Sequence, residues 1–209
     1  MGRLGKTATA CVVASGMPAD ATTEKVYRAP MRSRHSDVAD GAAVERALSQ
    51  GLCGFGGALD PAPSDLSDAL AKAHTQHDER LARRIGRFAA APEGSWVWTR
   101  DVDGLYWLGQ LGGMWRYDAS EAASLVDLCH VRPCRWLSDP IADARVPGGV
   151  LATFARGGKN WQQMHATGVA ESSELLFQMA AWERLALLPP RPTLAQTLVH
   201  DPTARCLRS

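Results

Sequence analysis

Between residues 64 and 88 apolar residues recur at spacings of three and four: Leu66, Leu70, Ala73, Leu81, Ile85 and Phe88 share one face, with His77 filling the gap. That period predicts one long helix starting at Ser64, just after Pro61 and Pro63. Asp65 and Asp68 fall in its first turn and Arg83, Arg84 and Arg87 in its last, each sign suiting the helix dipole. From Gly94 the period changes to two. Strands are predicted over 95–100, 104–111, 114–118 and 126–137, joined at Asp103-Gly104, at Gly112-Gly113 and by a looser loop over 118–125. Upstream, residues 26–35 read as a short strand leading into a basic loop, and Asp40 caps a short helix that places Val44 and Leu48 on one face and stops at Gly51. The glycine-rich run Gly51-Leu-Cys-Gly-Phe-Gly-Gly57 suits tight turning or close approach of the backbone to a ligand, with Phe55 exposed at its centre. Downstream come a short helix over 146–154, a polar loop over 156–160, and a last helix over 171–187 with Leu175, Met179, Trp182 and Leu185 on one face. Pro189, Pro190 and Pro192 break it.

These elements predict an α+β fold: a small, strongly curved antiparallel β-barrel with one long helix and short flanking helices. The barrel domain spans 26–165, residues 1–25 form a poorly ordered extension, and 166–209 hold the C-terminal helix and a loose tail. A length of 209 residues and an apolar fraction of 45% suffice for one buried core. The net charge of +1 argues against a polycation that coats nucleic acid non-specifically, yet leaves room for a local basic patch. Five widely spaced cysteines without a CxxC pair point to a reducing, cytoplasmic setting. No apolar run approaches the ~18 residues of a membrane span, so no membrane partner is expected.

Catalytic signatures fail one by one. Gly5-Lys6-Thr7 lacks the first glycine of a phosphate-binding loop, Gly54-Phe-Gly56 lacks the third glycine of a dinucleotide fingerprint, and no GxSxG occurs. His74 and His77 lie on one helix face beside Asp78, but no third ligand has matching spacing. Cys129, His130 and Cys134 read as strand residues, not ligands. No metal, no cofactor and no enzymatic activity are therefore expected.

The aromatic strands carry more. Five of the seven tryptophans fall between Trp96 and Trp136, interleaved with arginines. Aromatic faces beside guanidinium groups suit a stacked nucleobase with its phosphates held nearby, although a barrel core also collects aromatics. Trp96 and Trp98 share one strand face, and Trp115 and Tyr117 share another. A domain this small does not easily bury seven indoles, each needing a partner for its N–H, so two or three are expected to line a pocket. Arg100, Arg116, Arg132 and Arg135 lie close to the aromatics, and Arg156, Lys159 and Asn160 sit on a glycine loop, a set suited to a phosphate-binding rim. Asp118 at a strand end suits either a turn or the exocyclic amine of a base.

Trp96-Val-Trp-Thr-Arg100, Leu105-Tyr-Trp-Leu-Gly-Gln-Leu-Gly-Gly113, Trp115-Arg-Tyr-Asp118 and His130-Val-Arg-Pro-Cys-Arg-Trp-Leu137, in that order, resemble the PUA-like superfamily, nearest its EVE-like branch, which is related to YTH and ASCH domains. The resemblance covers about residues 26–165, with Gly51–Leu59 as the glycine-rich first strand. It implies a reader that flips a modified base, foremost 5-methylcytosine in double-stranded DNA, into an aromatic pocket, acting alone or with a restriction-type nuclease partner. Carried over residue by residue, it implies Trp98, Trp115, Tyr117 and Phe55 as pocket walls and Asp118 as a reader of the base edge. Arg100, Arg116, Arg132, Arg156 and Lys159 would hold phosphates, and Asn160 and Gln162 would fill the gap left by the base. RNA binding by the same platform is the first alternative. The second is an ASCH-type hydrolase of a modified nucleoside, recruiting Lys159, Thr99 and a carboxylate.

Overall fold

The computed structural model describes residues 25–33, 35–158 and 160–186. The expected extension over 1–25 falls almost wholly outside the described residues, as do Lys159 and the tail after 186. The elements run β1 (Val26–Arg28), α1 (Ala42–Gln50), β2 (Leu52–Phe55), α2 (Leu66–Gln76), α3 (Glu79–Ala89), β3 (Trp96–Arg100), β4 (Tyr106–Leu111), β5 (Arg116–Tyr117), α4 (Glu121–Leu125), β6 (His130–Trp136), α5 (Gly148–Ala155), β7 (Gln162–Met164) and α6 (Val169–Ala186).

The fold is mixed α+β, as the periods predict, but two features differ from expectation. The strands pair in the order β2-β6-β4-β3-β1-β7, with β5 also on β6. Among the described strands this path ends at β2 and β7 without closing, so the sheet is a curled half-barrel. It is also mixed, because β1 runs parallel to β3. The second difference lies in the helical run. The apolar spacing continues across 77–78, yet Asp78 adopts an extended φ of −158° and its Oδ1 accepts the Leu81 N–H at 2.7 Å, so a new helix starts there. The expected single helix is a hairpin of two, α2 against α3. Its first cap is Asp65, whose Oδ1 accepts the Asp68 N–H, while the Asp68 carboxylate accepts the Ser64 N–H. Gly51 does stop α1, with φ +63° and its N–H on the Ala47 oxygen.

Strand alternation divides the core in two. Tyr27, Val97 and Leu111 face a first core with Phe55, Phe88 and Trp161, under α1 and the α2–α3 hairpin. Val26, Trp96, Trp98, Tyr106 and Leu108 face a second core covered by α5 and α6. On α6 the inward residues are Val169, Ser173, Leu176 and Phe177. Leu175, Met179 and Trp182, expected to share one face, are exposed, and the side chain of Leu185 is outside the described residues. No described helix is long and apolar enough to cross a membrane.

Candidate functional site

The turn Gly112-Gly113 delivers the chain from β4 to β5, and Gly113 takes φ +48° there. A Cβ on Gly113 would also lie 3.0 Å from the Pro133 ring. After the turn, Met114 stands 87% exposed. Alternation then sets Trp115 and Tyr117 inward and Arg116 outward. Trp115 stacks over His130 at 6.0 Å, and Tyr117 meets the same imidazole edge-on at 5.3 Å. The Tyr117 hydroxyl is fixed by accepting the Leu59 N–H at 2.8 Å and donating to the Leu59 oxygen. Met114, Trp115, Arg116 and Tyr117 line a cleft of about 600 Å³, closed opposite by Leu66 and Ala89 of the hairpin and edged by Asp65 and Glu93.

Arg132 forms the floor of that cleft. It is 3% exposed, and its guanidinium donates to the oxygens of Gly113 at 3.0 Å and of Phe88 and Ala91 at 3.1 and 2.6 Å. The Phe88 carbonyl ends α3, where the helix dipole is negative, and that of Ala91 lies just beyond it. Its hydrogen-bond partners are therefore neutral oxygens, and burial pulls its pKa below the usual arginine value.

His130 supports the aromatic wall. It is fully buried, its Nε2 lies 2.9 Å from the Gly57 oxygen, and burial holds its pKa down to about 4. At neutral pH it is thus an uncharged ring that donates from Nε2 to Gly57 and carries Trp115 and Tyr117.

A second cleft, of about 290 Å³, lies at the N-terminal end of α3. Arg32, His35, Gly56, Gly57, His77, Arg84, Asp127 and Asn160 line it. Asp127, 8% exposed and at φ +50°, accepts the Gly57 N–H at Oδ1 and the Ser33 hydroxyl at Oδ2. A Cβ on Gly56 would sit 1.9 Å from that carboxylate, so only glycine fits. The glycine run thus serves a buried aspartate. Phe55 between the glycines is not exposed as expected: it is 1% exposed, packed on Phe88 and His130.

No family model matches the chain, and no curated protein matches it. Among solved structures it is similar to the YTH domain of the Zygosaccharomyces rouxii MRB1 protein, solved in complex with N6-methyladenosine RNA. The identity is 11%, over 76% of this chain and 88% of that one, with a TM-score of 0.39. A likeness at that level carries no argument about what this chain binds.

Of the expected pocket walls, Trp115 and Tyr117 come together at the first cleft. Trp98 does not: it is fully buried and its Nε1 donates to Ser173 Oγ of α6 at 3.0 Å. The reason is that α6 covers the face that the sequence argument left bare. Asp118, expected as a reader of a base edge, does not line this cleft and ties elements together. It lies 2.7 Å from Arg46 of α1 and 3.6 Å from Arg116, and it accepts the Ser120 N–H. Burial alone pushes its carboxyl up, but the bonds from Ser120 and Arg46 more than offset this and hold its pKa at about 2.

The expected phosphate contacts do not form one surface. Arg116 rims the first cleft, whereas Arg132 beneath it is buried in structural hydrogen bonds. Arg100 lines another groove, its Nε on the Gly104 oxygen and its guanidinium 5.4 Å from the Tyr106 ring. Arg156 is exposed beside Thr153. Asn160 lines the second cleft while bridging both backbone groups of Arg32, and Gln162 pairs with Arg28 in β7. Thr99, proposed for a hydrolase, is fully buried. Sequence reasoning missed Met114, Glu93 and Asp127. Met114 had a legible signal, a large apolar residue directly after a Gly-Gly turn. Asp127 had none, since its partners are about 70 and 94 residues away.

Proposed function

We propose that this chain is a nucleic-acid-binding module that takes one modified base into the cleft of Trp115. The observation that carries the reading is the convergence of Met114, Trp115 and Arg116 over the carbonyl-bound cation of Arg132. Stacking of a base on an aromatic face is worth about 1–3 kcal/mol. A methyl group enclosed by the indole and the Met114 thioether adds about 1 kcal/mol, roughly a fivefold preference. Arg116 at the rim, 53% exposed, suits the adjoining phosphate, and the Glu93 carboxylate suits an exocyclic amine. In a duplex such enclosure requires flipping the base. We assign 5-methylcytosine in double-stranded DNA as the mark, with RNA as the second reading, and binding without turnover. Asp65 caps α2 through its side chain, and Glu93 accepts the Gly113 N–H with one carboxylate oxygen, which leaves the other for the base. A nuclease partner would then supply cleavage.

The test is fluorescence anisotropy at fixed salt, on one duplex that is unmodified, hemimethylated or fully methylated at cytosine, with RNA of the same sequence beside it. The expected result is a preference of a few fold for methylated DNA that disappears in Trp115→Ala. Equal affinity for all duplexes, or a Trp115→Ala protein that binds as wild type does, sinks the reading. Stronger binding to RNA moves it to the RNA reading, and release of product from free modified nucleosides would replace binding by hydrolysis.

A further inference from the structure

The break at residues 77–78 leaves a set of charges that neither the core nor the Trp115 cleft uses. α3 carries Arg80, Arg83, Arg84 and Arg87. Arg84 turns inward, buried with its guanidinium 5.5 Å from the Phe55 ring centre. The other three are exposed. At about 100° per residue they fall within about 60° of one another, on one flank reaching about 10 Å along the axis. α2 packs on a different side, where Gly86 faces Leu70.

Helix stability does not account for this placement. Arg87 in the last turn suits the dipole, but Arg80 stands in the first turn, at the end that disfavours a cation. Ion pairing accounts for one of the three. Arg83 lies 3.5 Å from Glu79 with both side chains more than half exposed, a pair of little worth. Among the described residues neither Arg80 nor Arg87 has an ion-pair partner. On a chain of net charge +1 three arginines along one flank are a local concentration, not a share of general basicity. The flank also begins beside the second cleft, whose His77 and Asp78 directly precede it.

We propose that the Arg80–Arg83–Arg87 flank of α3 is a contact surface for the sugar-phosphate backbone of the bound nucleic acid. This rests on the reading of the chain as a nucleic-acid binder and adds a surface apart from the base cleft. Charge complementarity selects a polyanion, and a flank of about 10 Å is long enough for its arginines to meet two or three neighbouring phosphates. Arginine forks hold phosphate oxygens in pairs, which lysines do not.

The test measures binding of a labelled duplex of about 20 base pairs, and of its single strand, from about 50 to 200 mM salt. Wild type is compared with Arg80→Gln/Arg83→Gln/Arg87→Gln and with a charge-matched control, Lys25→Gln/Arg145→Gln/Arg184→Gln. The α3 variant is expected to lose about 2–3 from the magnitude of the log K against log salt slope, near 0.9 per duplex phosphate, and the control none. Arg80→Gln and Arg87→Gln singly should each lose about 1, which keeps the test open if the triple variant melts early. An unchanged slope, or equal losses in variant and control, overturns the proposal. So does a variant that keeps its nucleic-acid affinity but loses binding to phosphatidylserine vesicles or polyglutamate. Methyl preference reports on the cleft separately: it should survive in the α3 variant and vanish in Trp115→Ala while the slope stays, so either reading can fail alone.

Discussion

Replacing Arg132 separates two roles that one arginine beside tryptophans can hold. As a phosphate ligand it would be dispensable to the fold. In the structure it is buried and joins the end of α3 to the β4–β5 turn through the oxygens of Phe88, Ala91 and Gly113. In Arg132→Met the Phe88 oxygen keeps one donor, the Ala91 N–H at 3.3 Å. The Ala91 and Gly113 oxygens lose the guanidinium. A buried acceptor left without a donor costs about 1–3 kcal/mol, so the loss is about 2–6 kcal/mol before relief of the desolvated charge. That relief offsets part of it, leaving roughly 2–4 kcal/mol. For a chain of this size it lowers Tm by roughly 5–15 °C. Arg132→Lys keeps the charge without the fork and should fall between wild type and Arg132→Met.

The assay is urea unfolding at pH 7 with wild type, Arg132→Met and Arg132→Lys in parallel, together with the salt slope of duplex binding. The expected pattern is a large fall in midpoint at unchanged m-value, in the order wild type, lysine, methionine. If Arg132→Met instead unfolds within about 1 kcal/mol of wild type and loses about one unit of salt slope, Arg132 is a phosphate ligand after all, and the account of the cleft floor is wrong.

Three other expectations test the same geometry. Trp98→Ala should cost about 3–5 kcal/mol by chemical unfolding, while Trp98→Phe, which keeps most of the ring but drops the bond to Ser173, should cost about 1–2 kcal/mol and leave nucleic-acid affinity unchanged; a loss of affinity in a stable Trp98→Phe protein would restore Trp98 to the pocket. Asp118 has its folded pKa lowered to about 2, so its contribution is present above the unfolded carboxylate pKa and is lost as pH falls through 2, whereas His130, lowered from 6.5 to about 4, makes the fold lose stability as pH falls from 6.5 towards 4 and no further below. Stability measured against pH should show both limbs, and Asp118→Asn should flatten only the lower one. Gly56→Ala drives a methyl into the Asp127 carboxylate and should cost roughly 2–4 kcal/mol; a neutral result would mean that Asp127 has room to move.

How far the sequence could be read depends on whether a signal was local. The two-residue period placed β3 and β4 to within two residues, because alternate positions face opposite sides of the sheet and aromatic and β-branched residues recur on them. Gly51 stopped α1 because only a left-handed residue ends it cheaply. What failed needed partners far along the chain. β7, Gln162–Met164, has a polar sequence and exists through pairing with β1. The parallel pairing of β1 with β3 spans α1, β2 and the helical hairpin, and no local pattern encodes it. α6 is apolar on several sides, so the stripe of Leu175, Met179 and Trp182 was as regular as the one that actually packs, Ser173, Leu176 and Phe177.

That last failure also explains the error at Trp98. Without the last helix, the sheet leaves Trp96 and Trp98 uncovered on one face. Once α6 lies on the sheet, Trp96 and Trp98 are covered, and Trp98 gains Ser173 as the partner its N–H needs. Trp161 is buried in the other core, stacked 4.4 Å from Tyr27. The indoles left to line a pocket are then those that no helix covers fully. Trp115 is one whose wall opens on a cleft rimmed by Arg116 and edged by Asp65 and Glu93. The same reasoning that misplaced Trp98 therefore favours Trp115 once the second core is included, and α3 ties the outcome together. The Phe88 carbonyl at its C-terminal end, with that of Ala91 just beyond, holds Arg132 under the base cleft, and its N-terminal end borders the Asp127 cleft.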